Sequence, residues 1–123
     1  MDEKLAKVAN LLDSNKCTDI SIKDVRGLTY IADYFVIATI ANKSHAEAVC
    51  RKLEEYFDST ADGNGYFHTE GREVGQWVLV DTGDMIIHLF QAETRTFYNL
   101  DALWGDAKQI DAETLIGVNG CNR

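Results

Sequence analysis

The sequence has no proline, and it lacks any apolar run of 18 or more residues, the length a helix needs to cross a bilayer. The second absence excludes a helical membrane span. The first removes one usual marker of linkers and decides nothing about fold. Cysteine is scarce and scattered: Cys17, Cys50 and Cys121, with no CxxC or HxxxH spacing. An odd number of distant thiols makes a poor disulfide framework, fits a reducing cytosol, and gives a structural zinc site little support. Basic residues are outnumbered, 12 Lys and Arg against 20 Asp and Glu, for a net charge of -8. That surplus argues against binding along a phosphate backbone, so no direct reading of nucleic acid is expected. It suits a basic partner, through complementary fields that speed encounter, and it also serves solubility. The phosphate-binding spacings GxGxxG and GxxxxGK are absent too, as are internal repeats and low-complexity tracts. The start, Met1-Asp2-Glu3-Lys4, has neither the basic and apolar regions of a signal peptide nor an Arg- and Ser-rich leader. A cytoplasmic, bacterial setting is therefore expected.

What is present fits one globular domain. At 123 residues, 46% hydrophobic and 26% charged, the chain is large enough to bury a single core. Residues Glu3 to Asn15 predict a helix, with Leu5, Val8, Ala9 and Leu12 on one stripe. Thr18 to Val25 alternates like a half-buried strand near an edge. Asp33 to Ile40 (DYFVIATI) is short, aromatic and β-branched, which favours a strand buried on both faces. His45 to Phe57 predicts a second amphipathic helix, with Ala46, Val49, Cys50, Leu53, Tyr56 and Phe57 facing the core. Ser44 and Glu47 have capping-box spacing at its start, and Glu47 stands four residues before Arg51 as an ion pair. Asp58 to Gly65 is a polar, glycine-rich loop, and Tyr66 to Thr69 a short strand.

Two further strands, Trp77–Val80 and Met85–Phe90, flank the tight turn Asp81-Thr82-Gly83-Asp84. Period-two alternation puts Trp77, Leu79 and Asp81 on one face and Val78 and Val80 on the other. It likewise separates Ile86, His88 and Phe90 from Met85, Ile87 and Leu89. Both faces are mainly apolar, so the hairpin is expected to be a central pair with helices on at least one side. The order of elements predicts an α/β fold: one mixed sheet with helices packed mainly on one face. A strand-helix-strand unit from Asp33 onward would be a right-handed crossover if its strands are parallel. The domain is expected to span residues 1–107, with 108–123 a flexible C-terminal tail.

Enzyme chemistry is weakly signalled. Metal-dependent phosphoryl transfer needs clustered carboxylates, and Asp81 and Asp84 are the nearest candidates. On a nucleotidyltransferase-like scaffold a glycine-serine pair should open the helix, and two acids one residue apart should share the next strand. Here Asn42-Lys43-Ser44 opens the helix and the acids lie three apart across a turn, where Asp is a turn former. His45, His68 and His88 are dispersed, Cys50 falls on a buried stripe, and no catalytic triad has a local signature. After the hairpin, Phe97, Tyr98, Leu100, Leu103 and Trp104 crowd together among Glu93, Asp101 and Asp106, with Arg95 the lone base. Apolar anchors rimmed by charge suit a protein-binding surface, and equally a cap that closes the core.

Four segments taken in order, DYFVIAT (33–39), EG (70–71), WVLVDTGDMIIHLF (77–90) and E-x-R-x-FYNL-x-x-LWGDA (93–107), resemble the ribosomal silencing factor family, RsfS or Iojap-like. The resemblance runs over roughly residues 3–107. It implies a nucleotidyltransferase-like α/β fold without the catalytic acids, no enzyme activity and no cofactor or metal. It also implies binding to the large ribosomal subunit through its fourteenth protein, so that the small subunit cannot join and translation is repressed. The motif positions carried over are Trp77, Asp81, Gly83, Asp84, His88, Arg95, Phe97, Tyr98, Asn99, Leu100 and Trp104. Of these, Trp77, Asp81, His88, Tyr98, Leu100 and Trp104 are expected to touch the partner, while Asp84 and Arg95 hold the turn and loop. Ile40 is a departure, standing where family members more often have a small residue, at the scaffold's phosphate-binding corner. The alternatives are a metal-dependent nucleotidyltransferase-like enzyme using Asp81 and Asp84, and a self-associating module that forms a homodimer.

Overall fold

Helical spacing of Leu5, Val8, Ala9 and Leu12 gives α1 (Asp2–Ser14) a fully buried stripe, and all four side chains enter the core. A computed structural model of the protein describes residues 2–59 and 66–119. In it, β1 (Thr18–Asp24) and β2 (Tyr34–Ile40) are followed by α2 (Lys43–Ser59), β3 (His68–Glu70), β4 (Trp77–Asp81) and β5 (Met85–Gln91). Two short helices, α3 (Ala92–Tyr98) and α4 (Leu100–Leu103), then lead to β6 (Lys108–Ile110) and α5 (Ala112–Asn119).

The strands form one six-stranded sheet in the order β3-β4-β5-β2-β1-β6. Only β2 and β5 pair in parallel, from Tyr34 opposite Met85 to Ile40 opposite Gln91; the other pairs are antiparallel. Between these parallel strands the backbone passes through α2, β3 and β4, so the unit after β2 is longer than a plain strand-helix-strand. The continuous apolar run of β2 is explained by its place: it lies inside the sheet, buried along nearly its whole length.

The main core lies between one sheet face and α1, α2 and α5. Val36, Ala38, Val78, Val80, Met85, Ile87 and Leu89 point into it and meet Leu5, Leu12, Val49, Leu53 and Ile116. Alternation sends Phe35, Ile37, Leu79, His88 and Phe90 to the opposite face. Registry aligns them in rows: Leu79, His88 and Ile37 across β4, β5 and β2, then Trp77, Phe90 and Thr39 beside them. The expected parity of the hairpin is observed, and so is the burial of β2 on both faces.

Four local expectations differ. The side chain that caps α2 is Asn42, whose Oδ1 accepts the His45 N–H at 2.8 Å; the helix starts earlier than the Ser44 pattern implies. Glu47 pairs with Arg72, at 2.8 and 3.2 Å, because a distant guanidinium fork satisfies both carboxylate oxygens. The hairpin is interior, as expected, but off-centre, with only the short edge strand β3 beyond β4. The segment after residue 107, expected as a flexible tail, forms β6 against β1 and then α5, whose Ala112 and Ile116 are buried against the core. These elements are short, and their apolar contacts come from β1 and α1, far away in sequence. Residues 60–65 of the expected loop, and residues 120–123 including Cys121, lie outside the described residues.

Candidate partner-docking face

The face opposite α1, α2 and α5 begins with the β4–β5 turn. Thr82 is buried and donates both its N–H (2.9 Å) and its Oγ1–H (3.0 Å) to the Met85 carbonyl. Asp81 Oδ1 accepts the Gly83 N–H at 2.9 Å, and Gly83 sits at φ 99, where glycine is favoured. The Asp84 carbonyl accepts the N–H groups of Asp33 and Tyr34, while its carboxylate meets Lys4 of α1 at 3.4 Å. Asp81 therefore shares the face of Trp77, whereas the Asp84 carboxylate serves the helix-covered side. The two acids do not converge on one point. Among the described residues, no group of three or more His, Cys, Asp or Glu side chains is placed to hold a metal ion.

At the middle of the face stands His88, only 5% exposed. The Trp77 indole Nε1–H donates to its Nδ1 at 3.2 Å, and its Nε2 finds no partner among the described residues. Burial pushes the imidazole down to about 4, so the ring is neutral at pH 7. Around it the rings form a connected file. Trp104 meets Phe35 edge-on at 5.0 Å, Phe35 meets His88 at 5.3 Å, and His88 leads through Trp77 to Tyr98, 4.7 Å from the indole. Phe90 stacks under Trp77 at 4.8 Å, and Phe97 stands edge-on to Tyr98 at 5.1 Å. Edge-to-face and offset contacts of this kind are favourable beyond area burial alone.

The file emerges at the surface through α3 and α4. Neither helix has a buried residue, and Phe97 (81%), Leu103 (71%) and Tyr98 (50%) are exposed. Arg95 holds this cap down. Its Nε and Nη2 donate to the Asp101 carboxylate, both at 3.2 Å, and Nη1 donates to the Asp19 carbonyl at 2.7 Å and Thr39 Oγ1 at 2.9 Å. Burial raises the Asp101 carboxyl, but the hydrogen bonds from Arg95 outweigh it and the group titrates below its ordinary range. The joint between the helices is Asn99, in the left-handed conformation at φ 50, a shape Asn tolerates better than most residues.

Of the residues expected to touch a partner, Trp77, His88 and Tyr98 come together, and Trp104 joins them through Phe35. Asp81 lies on the same face at the far end of β4, and Leu100 is the half-buried first residue of α4, with no ring contact to the file. Phe35 and Phe90, which link the file, read in the sequence only as strand interior. Their parity was available, but that β2 lies on the other side of β5 from its hairpin partner was not. The other histidines stay apart: His45 joins Ala41 to Asn15, and His68 faces Glu70 at 3.2 Å. The Cys50 thiol is fully buried, and burial pushes it up to about 11, which leaves it a poor nucleophile.

The family model described as ribosomal silencing factor during starvation matches residues 1–120. A ribosomal silencing factor from Halalkalibacterium halodurans is 32% identical over 93% of this chain and 96% of its own length. One from Bacillus subtilis is 35% identical over 87% of both. Among solved structures, one from Chromobacterium violaceum superposes with a TM-score of 0.74 at 28% identity, covering 85% of this chain and 87% of that one. A second, from Bacillus halodurans, gives 0.71 at 26% identity, over 88% and 97%. With the match running nearly end to end, in sequence and in fold, this chain belongs to the RsfS family of ribosomal silencing factors.

Proposed function

We propose that this protein represses translation by docking the aromatic face that α3 and α4 cap on the fourteenth protein of the large ribosomal subunit, so that its bulk blocks joining of the small subunit. Ribosomal silencing itself is supported by the relatives that carry that name. The observation that carries the finer reading is the aromatic file, which runs from Trp104 through His88 to Tyr98 and surfaces at Phe97 and Leu103. Large exposed apolar groups in one patch mark an interaction site, and aromatic anchors dominate such sites. The net charge of -8 favours a basic partner, as ribosomal proteins generally are. The proposed contacts are Trp77, Asp81, His88, Tyr98, Leu100 and Trp104, with the exposed Phe97 and Leu103 as further anchors beside them.

Repression in this reading needs occupancy and no turnover, cofactor or metal. The scaffold is nucleotidyltransferase-like with its catalytic acids lost; Asp81 and Asp84 serve the turn and α1 instead. The protein acts in the cytoplasm, where its partner is assembled. The same apolar face can also pair two copies, and such a homodimer would compete with ribosome binding.

The test is co-sedimentation of the purified protein with large subunits, followed by a joining assay with added small subunits. Binding to large subunits and a fall in joined ribosomes that tracks the factor-to-subunit ratio are expected. Undiminished joining at saturating factor overturns the proposal.

A further inference from the structure

Trp77 fixes the tautomer of His88. An indole N–H can only donate, so the ring nitrogen it meets, Nδ1, carries the lone pair, and the proton of the neutral ring sits on Nε2. That Nε2–H is a donor buried among Phe35, Phe90 and Trp77, with no acceptor among the described residues. Folded proteins keep few buried donors unpaired, and those they keep call for an explanation. The position supplies one. His88 lies at the centre of the aromatic file, and its cross-strand neighbour Leu79 is itself only half-buried. Trp104, packed with Leu79 on the Phe35–Ile86 cluster, is half-buried as well. Two side chains of this face that are partly open to solvent, Leu79 and Trp104, thus lie close to the buried ring, Leu79 directly across from it and Trp104 through Phe35.

We propose that the Nε2–H of His88 is a recognition donor, satisfied on docking by a neutral carbonyl-type oxygen of the protein partner, either a backbone carbonyl or the amide oxygen of Asn or Gln. The inference rests on the docking reading above. An anionic acceptor fits poorly, because it would have to leave water for a ring-lined site in a protein of net charge -8. The cations on this face are already engaged: Lys23 is buried and donates to Gln109 at 3.1 Å, and Arg95 is held by the Asp101 carboxylate. Movement of Leu79 and Trp104 admits the partner oxygen, and the hydrogen bond then forms in a water-free setting where directional groups discriminate best.

Three variants separate the two ends of the ring. His88→Asn places an amide oxygen near the Nδ1 position, where it still accepts from Trp77, but it reaches no distal donor. His88→Gln extends an amide N–H toward the place of Nε2. His88→Phe keeps the volume and removes both polar atoms, so it serves if the Asn variant does not fold. Affinity for isolated large subunits is measured for each, with a urea melt as the folding control. The Asn and Phe variants should bind about ten-fold more weakly or worse, and the Gln variant should stay within about three-fold of wild type. Nitrogen-15 spectra of the free protein should show the ring proton on Nε2. Wild-type affinity in folded His88→Asn or His88→Phe, a ring proton on Nδ1, or a long-lived water bonded to Nε2–H overturns the inference and leaves the docking reading standing. Failure of the wild-type protein to bind large subunits removes the docking reading, and this inference with it.

Discussion

The indole N–H of Trp77 on β4 donates to Nδ1 of His88 on β5 across 3.2 Å, a side-chain bond between two neighbouring strands. It joins a half-buried ring to a buried one and makes the protonation state of His88 a matter of stability. To take a second proton the ring must give up the Trp77 bond and carry charge among aromatic side chains.

The sign follows from burial. The folded imidazole is pushed from 6.5 down to about 4, so the unfolded state binds the extra proton first as the pH falls. Stability from the neutral ring is complete above pH 6.5 and is lost progressively toward pH 4, by roughly 3 kcal/mol. Urea melts at a series of pH values should show this slope in the wild type and a flatter one in His88→Phe. An identical slope in both would assign it to other groups.

Arg95→Lys should loosen the cap while leaving the sheet intact. A lysine keeps the charge but not the fork that binds Asp101 at two points and reaches Asp19 and Thr39 as well. The expected cost is about 1–3 kcal/mol. Amide hydrogen exchange should rise across α3 and α4 and change little in β2 and β5. Uniform protection would mean that ring packing, and not the guanidinium, holds the cap.

Gly71→Ala should disturb the docking face from behind. Gly71 has φ +87, and a Cβ there would land on the backbone carbonyl oxygen of Trp77. Left-handed strain together with the overlap should cost about 2–3 kcal/mol and shift the start of β4. A lowered melting temperature with altered tryptophan emission checks this; an unchanged melt shows that the loop yields freely.

Phe97→Ser and Leu103→Ser remove exposed apolar surface without touching the core. Folding stability should stay within about 0.5 kcal/mol of wild type, as for most surface changes. Together the two changes should weaken large-subunit binding about ten-fold or more, in line with loss of anchor residues. Full affinity in the double variant would place the docking face elsewhere on the molecule.

Much of the site was legible one strand at a time. Alternation assigned Trp77, Leu79 and Asp81 to one face and separated His88 from Ile87, because side-chain direction in a strand depends only on parity. The capping of α2 was not, since Ser44 and Asn42 both offer a side-chain oxygen and only the backbone path selects between them. The partner of Glu47 was also hidden: Arg51 is near in sequence, but Arg72 supplies the better geometry from the far side of a loop. The three-residue strand β6 has too little periodicity to be read at all. It exists because β1 offers a free edge.

By itself the sequence determined the apolar stripes, the strand faces, the tight turn at Asp81–Asp84 and the acidic surplus, since each follows from local spacing and composition. Beyond the β4–β5 hairpin, the tertiary structure alone decided which strands are neighbours. Pairing β2 in parallel with β5 set Ile37 beside His88, and the return of α3 and α4 over this face placed Tyr98 on Trp77 and Trp104 on Phe35. Those contacts join residues from 21 to 69 positions apart, and no local pattern encodes them. They form because the face that α1, α2 and α5 leave uncovered still has apolar surface to bury.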